Sequence, residues 1–175
     1  MRCRWVIAGL ALLVGAALVW RVGLRWDLPA YVFVLAVLGP VLMVVDLELM
    51  RLPNRIVLPA VPVLLVLLGT AALGCSDGGA SLRRALLGAV AAGLCLGAVA
   101  WLLPQGLGWG DVKAVTGLLG PLAGWTCWSG LAWAGVVAFT GAALTAAVTR
   151  RAAVAMGPFL FGGVLVIVLW AGPPR

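Results

Sequence analysis

The 175-residue chain contains no histidine, one lysine and only five acidic side chains. Each shortage closes off some chemistry. Its four cysteines, Cys3, Cys75, Cys95 and Cys127, include no CxxC pair, so with histidine absent neither a zinc nor a haem site is expected. The cysteines read as small, semi-apolar fillers, with Cys95 inside an apolar run. No glycine-rich dinucleotide loop following a strand is present, and no cofactor is expected. Charge is also too sparse for a water-soluble domain of this length.

Apolar residues fill the space: 65% of the chain is hydrophobic and the mean hydropathy is +1.20. Runs of about 20 apolar residues suit a bilayer core about 30 Å thick, so the expected fold class is all-α, a polytopic membrane helix bundle forming one domain over residues 1–175. The net charge of +7 does not imply nucleic acid, because the basic residues stand singly or in pairs at the ends of apolar runs, where topology anchors belong. The expected partner surface is the lipid bilayer, and the expected location a cell membrane.

The charges divide the chain into apolar windows: Trp5 to Trp20, Leu28 to Val45, Ile56 to Ser76, Ala85 to Gly110, Ala114 to Thr149, and Ala152 to Pro174. The fifth is too long for one crossing. Pro121, Gly124, Trp125 and Trp128 mark a turn at the membrane surface within it, giving about seven transmembrane helices. Residues 1–20 resemble a signal peptide, but Trp20-Arg21 offers no small-residue cleavage site, and a retained first span is expected. Placing the loop from Asp46 to Arg55 in the cytoplasm puts Arg2, Arg4, Arg51, Arg55, Lys113, Arg150 and Arg151 inside. Arg21, Arg25, Arg83, Arg84 and Arg175 then lie outside, and Arg83 with Arg84 fits least well.

Two spans carry small residues at every fourth position: Ala85, Ala89, Gly93 and Gly97 in the fourth, and Gly130, Ala134, Ala138, Ala142 and Ala146 in the sixth. Such stripes let backbones approach closely, most simply within the chain and alternatively across a homodimer face.

Among the acids, Asp77 and Asp27 lie in ordinary turn sequences and Glu48 in a solvated loop, so none of these is assigned a function. Asp46 and Asp111 each stand where an apolar helix meets its loop, the first ending the second span and the second opening the fifth. Two crossings separate them, which returns the chain to the same membrane face. Ionisable residues at membrane depth are costly and mark function, whereas boundary acids alone do not. Gly106, Gly108 and Gly110 precede Asp111 and permit close approach of an extended peptide.

The segment Gly108-Trp109-Gly110-Asp111-Val112-Lys113 resembles the GxGDxK motif of the type IV prepilin peptidases, membrane aspartic proteases that remove leaders. Asp46, followed by Leu52-Pro53-Asn54 and Pro59, is similar to that family's first motif, D-x6-PN. Met156-Gly157-Pro158-Phe159-Leu160 resembles its final-span GPFL signature. The resemblance implies Asp46 and Asp111 as catalytic carboxylates at the cytoplasmic membrane edge, with Gly108, Gly110, Lys113, Pro53 and Asn54 around the substrate. The implied substrate is a prepilin or pilin-like precursor, cut after a small residue between a basic leader and an apolar helix. The GPFL match implies a packing role. The longer members' cytoplasmic insertion with paired cysteines has no room here, so a compact, peptidase-only form is expected.

Two acids sharing one proton suffice for peptide hydrolysis: the ionised one activates water and the neutral one polarises the carbonyl. Because Asp111 opens a helix and Asp46 closes one, the helix dipoles favour Asp111 as the resting base. Lys113, two positions on, points away from Asp111 toward lipid phosphate or an acidic substrate residue. Arg51 and Arg55 read as interface anchors. Presenilin-like proteases share GxGD but pair it with YD and PAL motifs, which Val45-Asp46 and Gly157-Pro158-Phe159-Leu160 do not match. A proton-coupled transporter would carry its acids mid-span and show repeat symmetry, neither of which the sequence contains. An inactive pilus-assembly scaffold stays open as an alternative.

Overall fold

The computed structural model describes residues 2–50, 52–102, 107–150 and 154–172. Among these, seven helical rods and no strand are found. They are α1 (Arg2–Val22), α2 (Leu28–Leu49), α3 (Asn54–Gly74), α4 (Gly78–Leu102), α5 (residues 109–126), α6 (Trp128–Thr149) and α7 (Gly157–Ala171). Five of them, α1 to α4 and α6, are long and apolar enough to cross a membrane. The chain is a membrane protein. The uncharged part of α5 begins at Ala114, past the charged first turn.

Solvent preference is inverted relative to a soluble protein. Trp5, Leu12, Trp20, Leu73, Leu94 and Trp170 are exposed on the outside of the bundle, while Asp27, Asp46, Ser81 and Thr126 are buried inside. That arrangement suits lipid, where an apolar surface costs nothing and a polar group must find a partner in the protein.

Two helix ends differ from the sequence expectation. The second helix does not stop at Asp46: it continues to Leu49, and Met50 closes it in a left-handed conformation, φ 49°, with its N–H donating to the Asp46 carbonyl at 2.8 Å. Glu48 therefore sits on an exposed last turn of helix and not in a loop. The break between the fifth and sixth helices falls at Cys127 alone, whose extended backbone caps α6 and whose Sγ accepts the Gly130 N–H at 3.2 Å. Pro121, Gly124 and Trp125, expected to form the turn, are buried within α5, and only Trp128 is exposed. Trp125 is an interior residue because its ring N–H has a buried acceptor, Asp27 Oδ2 at 3.3 Å.

The two helices carrying Asp46 and Asp111 each contain a widened turn, over Val32–Leu38 in α2 and Val115–Leu119 in α5. In each, a glycine N–H reaches back five residues, Gly39 to the Val34 carbonyl and Gly120 to the Val115 carbonyl. A proline follows both glycines. Pro40 and Pro121 lack an N–H and would crowd the carbonyl four residues back, and a wider turn moves that carbonyl aside.

Both small-residue stripes face neighbours within the chain. Along α4, Ala85 and Ala89 pack so closely on α5 that a Cβ on Gly124 or Gly120 would stand 3.1 and 3.2 Å from their Cα atoms. Along α6, Ala134 and Ala138 lie against Gly163 of α7. Arg84, awkward to place from charge bias, has a structural partner set: it donates to the carbonyls of Gly124 (2.8 Å), Trp125 (2.7 Å) and Thr126 (3.3 Å), closing the end of α5.

Candidate active site

The alternation of up and down helices brings the end of α2, the start of α3, the start of α5 and the start of α7 to one end of the bundle. Asp46 is 4% exposed there, and its Oδ2 accepts a hydrogen bond from the Gly157 backbone N–H at 2.7 Å. Gly157 is the first residue of α7, so one of the N–H groups that a helix start leaves unpaired is satisfied by the carboxylate. A Cβ on Gly157 would lie 2.8 Å from Asp46 Oδ2, and only glycine allows the contact at that spacing.

Asp111 lies in the first turn of α5, ahead of the uncharged stretch. It lines the same cavity as Asp46, a space of about 360 Å³ whose other walls are Met50, Leu52, Asn54, Gly108, Trp109, Gly110 and Lys113. Burial raises the Asp111 pKa from 3.8 to about 6; the nearby charge of Asp46 adds to the rise, and a hydrogen bond with the Gly108 backbone opposes it. Among the described residues, no cation forms a salt bridge with either carboxylate. Two acids thus line one partly desolvated space.

Of the other residues singled out from the sequence, Asn54, Gly108, Gly110 and Lys113 line this cavity. Pro53 does not; it precedes the first residue of α3 in an extended conformation and directs Asn54 to the rim. Lys113 Nζ reaches Asn54 Oδ1 at 3.4 Å, linking the first turns of α5 and α3 across the cavity mouth. Gly110 allows the closest approach of the two loops, since a Cβ there would meet Leu52 Cβ at 3.3 Å and its N at 3.4 Å. Gly106 and Arg51 lie outside the described residues.

The contacts favour the opposite proton assignment from the one helix position suggests. Helix position alone favoured Asp111 as the resting base, but the N-terminus of a third helix, α7, points its Gly157 N–H at Asp46. A backbone N–H is a good partner for an anion, whereas burial pushes the Asp111 carboxyl upward. Gly157 is also the contact that sequence reasoning understated. Its motif was visible, but a glycine has no side chain to announce a role.

A family model described as the type IV leader peptidase family matches residues 31–171. No curated protein matches the chain, and no solved structure does. The match runs from the middle of the first turns of α2 to the end of α7 and takes in both acid-bearing helices and the helix that contacts Asp46. The chain belongs to the type IV leader peptidase family.

Proposed function

We propose that the protein is an aspartic endopeptidase that removes the leader from prepilins or pilin-like precursors at the cytoplasmic edge of the membrane, with Asp46 and Asp111 as its catalytic pair. The observation that carries this reading is the common cavity of the two acids at one end of the bundle. In the one-proton state, Asp46, held by the Gly157 N–H, draws a proton from water. The neutral Asp111 donates to the scissile carbonyl. Water attack gives a tetrahedral intermediate, and proton return to the leaving amine completes hydrolysis.

Gly108 and Gly110 line the cavity and let Asp111 and the Leu52 loop close up beside it, and Pro53 fixes the start of α3 so that Asn54 and Lys113 frame its mouth. The apolar helix of such a precursor already lies in the bilayer, so it approaches sideways with its scissile bond near the membrane surface. The test is co-expression with a prepilin precursor. Processing should appear as a shortened product and vanish in both Asp46→Ala and Asp111→Ala while each variant remains inserted. A shortened product from either variant would reject the pair.

A further inference from the structure

At the end of the bundle opposite the two carboxylates, α4 and α6 diverge and leave a groove open to the outside of the bundle. Its upper part, about 420 Å³, is lined by Ala80, Arg83, Arg84, Leu87 and Trp128. Its lower part, about 430 Å³, is almost wholly apolar. Trp128 lines both. Along α4, the wall residues Arg83, Leu87, Ala91 and Cys95 recur at every fourth position on one helix face. Gly120 and Ala123 of α5 form part of the floor.

The charges at the mouth indicate what fits. Arg84 spends its donors on the closing carbonyls of α5 and on Ser81 Oγ. Arg83 is exposed and has no hydrogen-bond or ion-pair partner among the described residues. Among the described residues, neither guanidinium forms a salt bridge with an acid. Trp128, half exposed, lines the same upper part, and tryptophan is a residue that favours the headgroup level of a membrane. From Arg83 to Cys95 the wall runs for about 18 Å at the helical rise. That compares with about 15 Å for half of the hydrocarbon core.

The geometry points to a binding site for an anionic phospholipid, with the headgroup phosphate on Arg83 beside Trp128 and one acyl chain laid between α4 and α6. The headgroup end of the site, at Arg83 and Trp128, lies at the opposite end of the bundle from the carboxylate pair. It explains why two arginines persist at an end where charge bias disfavours them: one closes a helix and the other holds a lipid.

The full chain, purified in detergent, is titrated with phosphatidylglycerol and with phosphatidylcholine, and bound lipid is counted by native mass spectrometry. One phosphatidylglycerol should bind, several-fold tighter than phosphatidylcholine. Arg83→Gln, at an exposed position, should erase that preference. Gly135→Leu extends into the groove, where a Cβ meets nothing within 4 Å, and should reduce binding of both lipids. Retention of the preference in Arg83→Gln, or of full binding in Gly135→Leu, overturns the site. So does an equal Arg83-dependent response to inorganic phosphate alone. If Gly135→Leu instead slows precursor cleavage and leaves lipid counts unchanged, the groove seats a peptide helix and the lipid assignment is wrong.

Discussion

Asp27 and Asp111 are both carboxylates drawn out of water by the same helical bundle, at opposite ends, and they are treated differently. Asp27 has no exposed surface, yet its two oxygens are taken: Arg25 Nε lies 3.4 Å from Oδ1 and Trp125 Nε1 donates to Oδ2 at 3.3 Å. It ties the start of α2 to the end of α5. Asp111 has no cation partner among the described residues, a neighbouring acid, and a cavity in front of it. A buried carboxylate paired with a cation and an indole strengthens a fold, whereas one that faces a second acid across a cavity stores a charge that substrate or a proton can relieve.

Replacing each in turn by asparagine separates the two roles. Asp111→Asn should lower leader cleavage by about 10²-fold to 10⁴-fold, the usual worth of a positioned acid or base. Asp27→Asn should leave cleavage within a few-fold at permissive temperature and cost about 1–3 kcal/mol in stability, read from unfolding in detergent. Equal loss of cleavage in both would erase the contrast.

Gly157→Ala tests whether Asp46 is held by backbone as tightly as Asp27 is held by side chains. The added methyl must displace Asp46, and cleavage should fall by about 10²-fold, as displacements near 1 Å commonly cause. Gly162→Ala on the same helix, where a Cβ meets nothing within 4 Å, is the control and should be silent.

The pH response should sharpen the same contrast. The folded-state pKa of Asp111, about 6, lies above its ordinary value of 3.8, so the folded protein binds this proton more tightly than the unfolded chain. Its contribution to stability is therefore greatest below pH 3.8, is lost as pH rises to about 6, and is level above that. Asp111→Asn should flatten this part of the thermal-unfolding profile and be more stable than the parent at neutral pH. Cleavage, which needs one shared proton, should decline as pH climbs through about 6. The smallest effect is expected at Tyr31, whose buried hydroxyl has no partner among the described residues. Tyr31→Phe should raise stability by about 1 kcal/mol with cleavage unaltered.

The helix count and the pairing of the acids were legible because they depend on span lengths and on the parity of crossings. Asp46 and Asp111 meet because two helices, α3 and α4, intervene. The motifs around Asn54, Gly108, Gly110 and Lys113 likewise mark residues that line one cavity. What escaped the sequence depended on distant partners. Asp27 read as a turn residue because Trp125, 98 positions away, supplies its hydrogen bond. Trp125 reads as a membrane-surface residue for the same reason, and the Gly157 N–H that holds Asp46 belongs to the distant α7. Local propensity sees neither contact.

The widened turns at Val32–Leu38 and Val115–Leu119 have a consequence for engineering the two acids. Each inserts backbone beyond the ordinary helical spacing, and each ordinary residue step rotates a helix by about 100°. Winding residues 115–119 into regular geometry with none of them deleted would swing Asp111 about that far around its axis relative to the buried Gly120–Thr126 segment. The carboxyl group would then face lipid or a neighbouring helix with every motif residue still in the sequence. These slack loops thus act as angular settings for the acids, and an intact motif in a relative guarantees nothing unless the setting is preserved with it.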